Sequence, residues 1–173
     1  MTTTIFAFHP NLKGVSRVNQ ALAKTAQEAG FDVRDLYALY PDFQIDVAEE
    51  QRVFEATDRI VLQFPMYWYS TPALLKEWLD RVLEYGWAYG SQGNALRGKE
   101  IILAFSQGAN PEDYTTDGRF HTTTKELLKP LETIQYHTNL VFLPYFAVPG
   151  AMSINDEDLV KACQDHLEHL GQK

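Results

Sequence analysis

Apolar residues along this chain switch repeatedly between two spacings, and the switches divide it into alternating strands and helices. The opening run TTIFAF (Thr3 to Phe8) is short, apolar and β-favouring. Val15, Val18, Leu22 and Ala26 then recur at three- and four-residue steps, the stripe of an amphipathic helix that Gly30 ends as a cap. FDVRDLY alternates like a half-covered edge strand, and the polar loop ALYPDFQID leads to a short helix around Ala48 to Thr57. DRIVLQF, continuously apolar at its centre, predicts a central strand.

The strongest helical signal follows: Leu74, Leu75, Trp78, Leu79, Val82 and Leu83 share one face. Lys99 to Ser106 (KEIILAFS) predicts another strand, and TTTKELLKPLETIQYH a helix in which Pro130 makes a kink or begins a new first turn. TNLVFLPYF reads as a last strand whose internal proline argues for an edge position. NDEDLVKACQDHLEHL reads as a closing helix capped by Asn155. Five strands separated by helices imply parallel pairing with right-handed crossovers, hence a single three-layer α/β domain over residues 1–173. Edge-like second and fifth strands fit the flavodoxin-like order 2-1-3-4-5. That order puts a ligand beyond the carboxyl ends of the central strands.

Composition narrows the partners. Fifteen Lys and Arg against 23 Asp and Glu give a net charge of −8, which disfavours nucleic acid. The single cysteine, Cys163, makes no internal disulfide and reads as an inert packed thiol in a reducing compartment. MTTTIFAFHP lacks the features of a signal peptide, and NLVFLPYFAVPGAM is too short and proline-broken to span a bilayer, so a cytoplasmic protein is expected. His166 and His169 stand at i,i+3 without a further ligand nearby, which reads as a solvated helix face and no metal site.

Three unusual loops follow the first, third and fourth strands. Loop one, from His9 to Asn19, runs into a helix start carrying Ser16 and Arg17, a ready site for a phosphate. Loop two holds three consecutive aromatics, Tyr67, Trp68 and Tyr69, between Pro65 and Pro72. Three rings in a row cannot share one face of a strand or helix, so they suggest a wall for something flat. Loop three, Ser106, Gln107 and Gly108, offers close backbone approach at the glycine. Ser-His-Asp, HExxH and CxxC arrangements are absent from the sequence.

QFPMYWYSTPALLKEWLDRVLEYGWAYG resembles the signature segment of the NAD(P)H quinone reductases of DT-diaphorase type, F-P-x-x-W-[YF]-x-x-P-x-x-[LI]-K-x-W-x-[DE]-R-V. It is most similar to small bacterial members, among them the ancillary oxidoreductases of glutathione-gated potassium-efflux systems. HPNLKGVSRVNQAL and EDYTTDGRF…ELLKPLE also match, so the resemblance covers most of the chain.

The resemblance implies a flavin, FMN by chain length with FAD left open, passing hydride from NAD(P)H to quinones or similar flat electrophiles in a ping-pong cycle. It implies that His9, Ser16, Arg17 and Asn19 hold the flavin phosphate. Pro65, Met66, Tyr67, Trp68 and Tyr69 would lie along the isoalloxazine, with Ser106, Gln107, Gly108 and Ala109 on its pyrimidine side. Tyr114 matches a tyrosine that assists charge development on the ring, and its histidine partner falls at Phe120 or His121. The family's third loop is commonly Thr-Thr-Gly-Gly, so Ala109 adds a methyl group there. A homodimer is implied through the Leu74 to Leu83 face, with Trp87 and Tyr89 as candidates for a shared pocket. The competing expectation is a flavin-binding, redox-sensing regulatory subunit of a potassium-efflux membrane protein.

Overall fold

The computed structural model describes residues 1–171. The chain runs β1 (Thr3–Ala7), α1 (Val18–Glu28), β2 (Asp32–Asp35), α2 (Leu36–Leu39), α3 (Val47–Ala56), β3 (Arg59–Pro65), α4 (Ala73–Val82) and β4 (Glu100–Ser106). After a 3₁₀ turn at Pro111–Asp113 come α5 (Thr124–Glu132), α6 (Gln135–Thr138), β5 (Val141–Phe142), β6 (Phe146–Val148) and α7 (Asp156–Gly171). The strands form one parallel sheet in the order β2-β1-β3-β4-β5, with β6 also paired to β4.

The expected sheet order is therefore observed, with one correction at its end. The single last strand is two, and Pro144 lies in the gap between them. Proline has no N–H to give the ladder, so pairing with β4 stops at Phe142 and resumes at Phe146. Two further boundaries move. The first helix begins at Val18, leaving Val15 outside it and exposed, and the second strand stops at Asp35, where the Asp35 side chain caps a single helical turn. Asn155 caps α7 as expected, its Oδ1 accepting from Asp158 N–H at 2.8 Å.

Alternation along the strands sorts the core into two layers. Phe6, Ile60, Leu62, Phe64, Ile101, Leu103 and Phe105 face α3, α4 and α5, where Phe54 and Trp78 are buried with them. Ile5, Val61, Ile102 and Ala104 face the other way, against Ala26 of α1 and Leu170 of α7. All seven residues of β3 are buried, as a central parallel strand covered on both faces requires.

Two buried charged groups tie the helices to the sheet. Glu50 of α3 accepts from Tyr40 Oη–H at 2.6 Å, from Trp78 Nε1–H at 3.0 Å and from the Arg34 guanidinium. At the amino end of the sheet, Arg59 donates to Glu100 and to the Leu170 carbonyl of α7, both at 2.6 Å.

His166 corrects the expectation of a solvated face, because tertiary packing covers it: the ring is fully buried against Phe146, with centroids 5.0 Å apart. His169 is half-buried and reaches the Pro144 carbonyl. Neither ring nitrogen of His166 has a hydrogen-bond partner, and burial lowers its pKa from 6.5 to about 4, with His169 adding a smaller push in the same direction. The unfolded chain therefore binds more protons between these values. The neutral ring's contribution is full above pH 6.5 and is lost as pH falls toward 4. The shift corresponds to about 3 kcal/mol. We expect His166→Leu to flatten stability against pH across that window, measured by urea unfolding at a series of pH values. An unchanged slope would show that His166 is not the group responsible.

Candidate functional site

The three loops converge at the carboxyl edge of the sheet around a cavity of about 350 Å³. Loop one supplies His9, Ser16, Arg17 and Asn19, loop two Pro65, Met66 and Tyr67, and loop three Ser106 and Gly108. Val15 and Val18 join them, together with Ala151 and Met152 from the loop after β6.

On one side the wall is rich in donors. No side chain caps the start of α1, and the N–H groups of a helix's first turn have no helical carbonyl to meet. Ser16 is buried beside them. His9 Nδ1 accepts from Asn11 N–H at 3.1 Å, which leaves the proton of the neutral ring on Nε2. Burial lowers the His9 pKa, with Asp35 opposing, so the neutral form is favoured. Asn19 is buried and its side-chain amide donates to Ser106 Oγ at 2.9 Å, while its backbone carbonyl accepts from the Gln63 side chain. Asn19 thereby fastens α1 to the ends of β3 and β4. Arg17 lines the cavity, but its guanidinium donates to the Ile154 carbonyl and the Asp156 carboxylate at the start of α7.

The aromatic run is a two-residue hairpin. Tyr67 and Ser70 exchange backbone hydrogen bonds at 3.1 and 3.0 Å, and Trp68 and Tyr69 between them hold φ of 48° and 63°. Positive φ at both tip residues is the geometry of a type I′ turn, which normally selects Asn and Gly. Met66 N–H donates to the Ser106 carbonyl at 2.8 Å, carrying the β3–β4 pairing into the site. Trp68 is 91% exposed at the tip.

Several expected site residues lie outside the cavity lining. Tyr69 turns to an apolar groove of about 470 Å³ between α4 and α5, which shares Met66 with the first cavity. Gln107 is buried and turned inward, its amide meeting Thr124 Oγ1 at 3.1 Å and the Met66 sulfur at 3.6 Å. Ala109 accepts from Gly150 N–H at 2.7 Å. The ring packed on Tyr114 belongs to Phe120, with centroids 5.1 Å apart, and Phe120 also meets Tyr69 edge-on at 5.1 Å. His121 is exposed at φ 51°. Burial raises the Tyr114 pKa, which the backbone N–H of Ala109 partly offsets. The sequence reading missed Ala151 and Met152; the signal that marks them is their place just past the carboxyl end of the last strand.

Among the described residues, no group of three or more His, Cys, Asp or Glu side chains could hold a metal ion, and no helix is long and apolar enough to cross a membrane. The donors present fit a phosphorylated planar ligand: open helical N–H groups, a hydroxyl and an imidazole N–H at one part of the cavity, aromatic and backbone surfaces at another.

The chain is 43% identical over 171 residues to an uncharacterised NAD(P)H oxidoreductase, YrkL, of Bacillus subtilis, covering 98% of both chains. The general stress protein 14 of Treponema denticola, solved in complex with FMN, superposes with a TM-score of 0.91 at 39% identity over 98% of both chains. An NADPH-quinone reductase from P. pentosaceus superposes at 0.88 and 27% identity, covering 100% of this chain and 99% of that one. With residues 1–170 matching the family of flavodoxin-like fold, the chain belongs to the flavodoxin-like NAD(P)H oxidoreductases.

Proposed function

We propose that the protein is an FMN-dependent NAD(P)H:quinone oxidoreductase that serves donor and acceptor alternately through one pocket. The observation that carries this reading is the meeting, in one cavity, of an uncapped helix start beside Ser16 and His9 with Tyr67, the first ring of the aromatic hairpin. FMN bound there supplies hydride acceptance from NAD(P)H and hydride delivery to a quinone. The chain's own work is binding and alignment. The first-turn N–H groups of α1, the Ser16 hydroxyl and His9 Nε2–H hold the phosphate. The N–H groups of Trp68 and Tyr69 lie outside the Tyr67–Ser70 hydrogen bonds and are free to face negative charge developing on the ring. Tyr114, kept protonated by burial, donates to that charge. Phe120 packs on it without a proton to exchange, so reprotonation falls to solvent, near exposed His121.

The apolar groove beside the cavity is assigned to a second copy of the chain, which would bring Trp87 and Tyr89 toward a shared pocket in a cytoplasmic homodimer. Its support is the floor of Leu79, Leu83, Leu127 and Leu131 that continues from Met66.

Anaerobic titration of the FMN-loaded protein with NADPH, then with a quinone, tests the reading. We expect the flavin absorbance to bleach and return. Retained flavin that does not bleach would instead favour the redox-sensing subunit, and protein that retains no flavin would overturn both.

Left-handed backbone costs about 1–2 kcal/mol at a residue with a side chain, so the tip trades stability for ring surface. The double variant Trp68→Asn with Tyr69→Gly is expected to raise stability by about 1–2 kcal/mol in urea unfolding. It is also expected to weaken FMN binding roughly tenfold or more, the order of a lost stacking contact. A variant that bound FMN as tightly as the parent would show that the hairpin is not the ring's wall.

A further inference from the structure

We infer that residues 149–155 form a strap closing the cofactor cavity, and that Arg17 positions this strap rather than the cofactor phosphate. The inference rests on the cavity being the flavin site.

One end of the strap is stitched to loop three. Gln107 N–H donates to the Val148 carbonyl and the Gln107 carbonyl accepts from Ala151 N–H, both at 2.9 Å. Gly150 N–H adds the bond to the Ala109 carbonyl. Gly150 has φ 66° and Ser153 N–H returns to its carbonyl at 3.0 Å, so the backbone turns back over the site. The other end is fastened to loop one through Arg17, which reaches the Ile154 carbonyl and the Asp156 carboxylate across 137 and 139 residues of sequence. Between the two attachments the strap lays Ala151 and Met152 on the cavity. Met152 lies so close over loop three that a Cβ at Gly108 would stand 3.3 Å from its sulfur. That methionine is 90% exposed, an apolar side chain held over a cavity mouth with no core to enter.

The division of labour has a physical rationale. With its fork occupied by a carbonyl and a carboxylate, Arg17 is no longer free to offer the bidentate face that suits a phosphate. The open helical N–H groups, Ser16 and His9 already supply donors there. The strap gains a fixed closed position, and the cofactor has to lift Met152 to leave.

The test turns on sign. Removing the Asp156 carboxylate takes a negative charge from beside an anionic ligand and frees Arg17 to reach it. If Arg17 were a phosphate ligand, Asp156→Ala would bind FMN more tightly. A strap loses its fastening and releases FMN faster, roughly three- to fivefold, the most an exposed ion pair is usually worth. The readout is recovery of flavin fluorescence after dilution of the loaded protein, with thermal stability recorded in parallel. We expect faster release from Asp156→Ala, restoration in Asp156→Glu, and faster release also from Met152→Ala, which removes the cover without touching the ion pair. Slower or unchanged release from Asp156→Ala overturns the inference, as does faster release that Met152→Ala fails to reproduce. Parent protein that retains no FMN overturns the flavin assignment itself, a separate outcome.

Discussion

Glu50 has no solvent contact, and its two carboxylate oxygens are met by Arg34 on β2, Tyr40 beyond α2 and Trp78 on α4. A buried carboxylate is tolerated only when it is paired and hydrogen-bonded, and removing one side of such a pairing typically costs about 3–5 kcal/mol. The three donors are thus held to one point, and Trp78, the largest fully buried side chain, fixes α4 with them. Tyr37 adds a second fastening, its hydroxyl accepting from Leu74 N–H at 3.2 Å in the first turn of α4. The aromatic hairpin is suspended between β3 and α4. With both supports fixed, the short connection can hold Trp68 and Tyr69 in backbone they would otherwise avoid. The hairpin thus depends on a core interaction that lies outside the cavity lining.

Charge at the site runs against the charge of the whole. In the proposed site an acidic chain would meet an anionic ligand with local donors: the dipole and N–H groups at the start of α1, the hydroxyl of Ser16 and the imidazole N–H of His9. Most of these are neutral groups held in place, which keeps their attraction short-ranged and leaves the acidic surface intact. Arg17, the cation in the cavity lining, is spent on α7. Aromatic and apolar surface lies on the other side, and Met66 joins the cavity to the groove between α4 and α5.

How much of this the sequence disclosed depends on whether the cause was local. Period-two and period-3.6 patterns are written residue by residue, so the sheet order followed from them, and with it the convergence of the three loops at the carboxyl edge. Pro144 was visible as an interruption, but that pairing resumes beyond it depends on β4 extending past the break. Val15 fits the helical spacing yet lies outside α1, at the cavity, because three- and four-residue steps do not say where a helix begins. Long-range contacts were illegible. The direction of Arg17 is set by a carbonyl 137 residues away, and the burial of His166 by Phe146. Met152 and Ala151 belong to a Pro-Gly turn that looks ordinary until the last strand's carboxyl end is counted with the others. The choice between Phe120 and His121 was also open in the sequence, and in the fold it is Phe120 that packs on Tyr114.

The central claim is that a flavin lies between the Tyr67–Ser70 hairpin and the Ser106–Ala109 loop, with its phosphate at the start of α1. A crystal structure of the protein with FMN tests it most directly. The account predicts the isoalloxazine against Tyr67 and Trp68, and the phosphate within hydrogen-bond distance of Ser16 and the first-turn N–H groups of α1. An isoalloxazine in the groove between α4 and α5, or a phosphate anywhere but the start of α1, would contradict it.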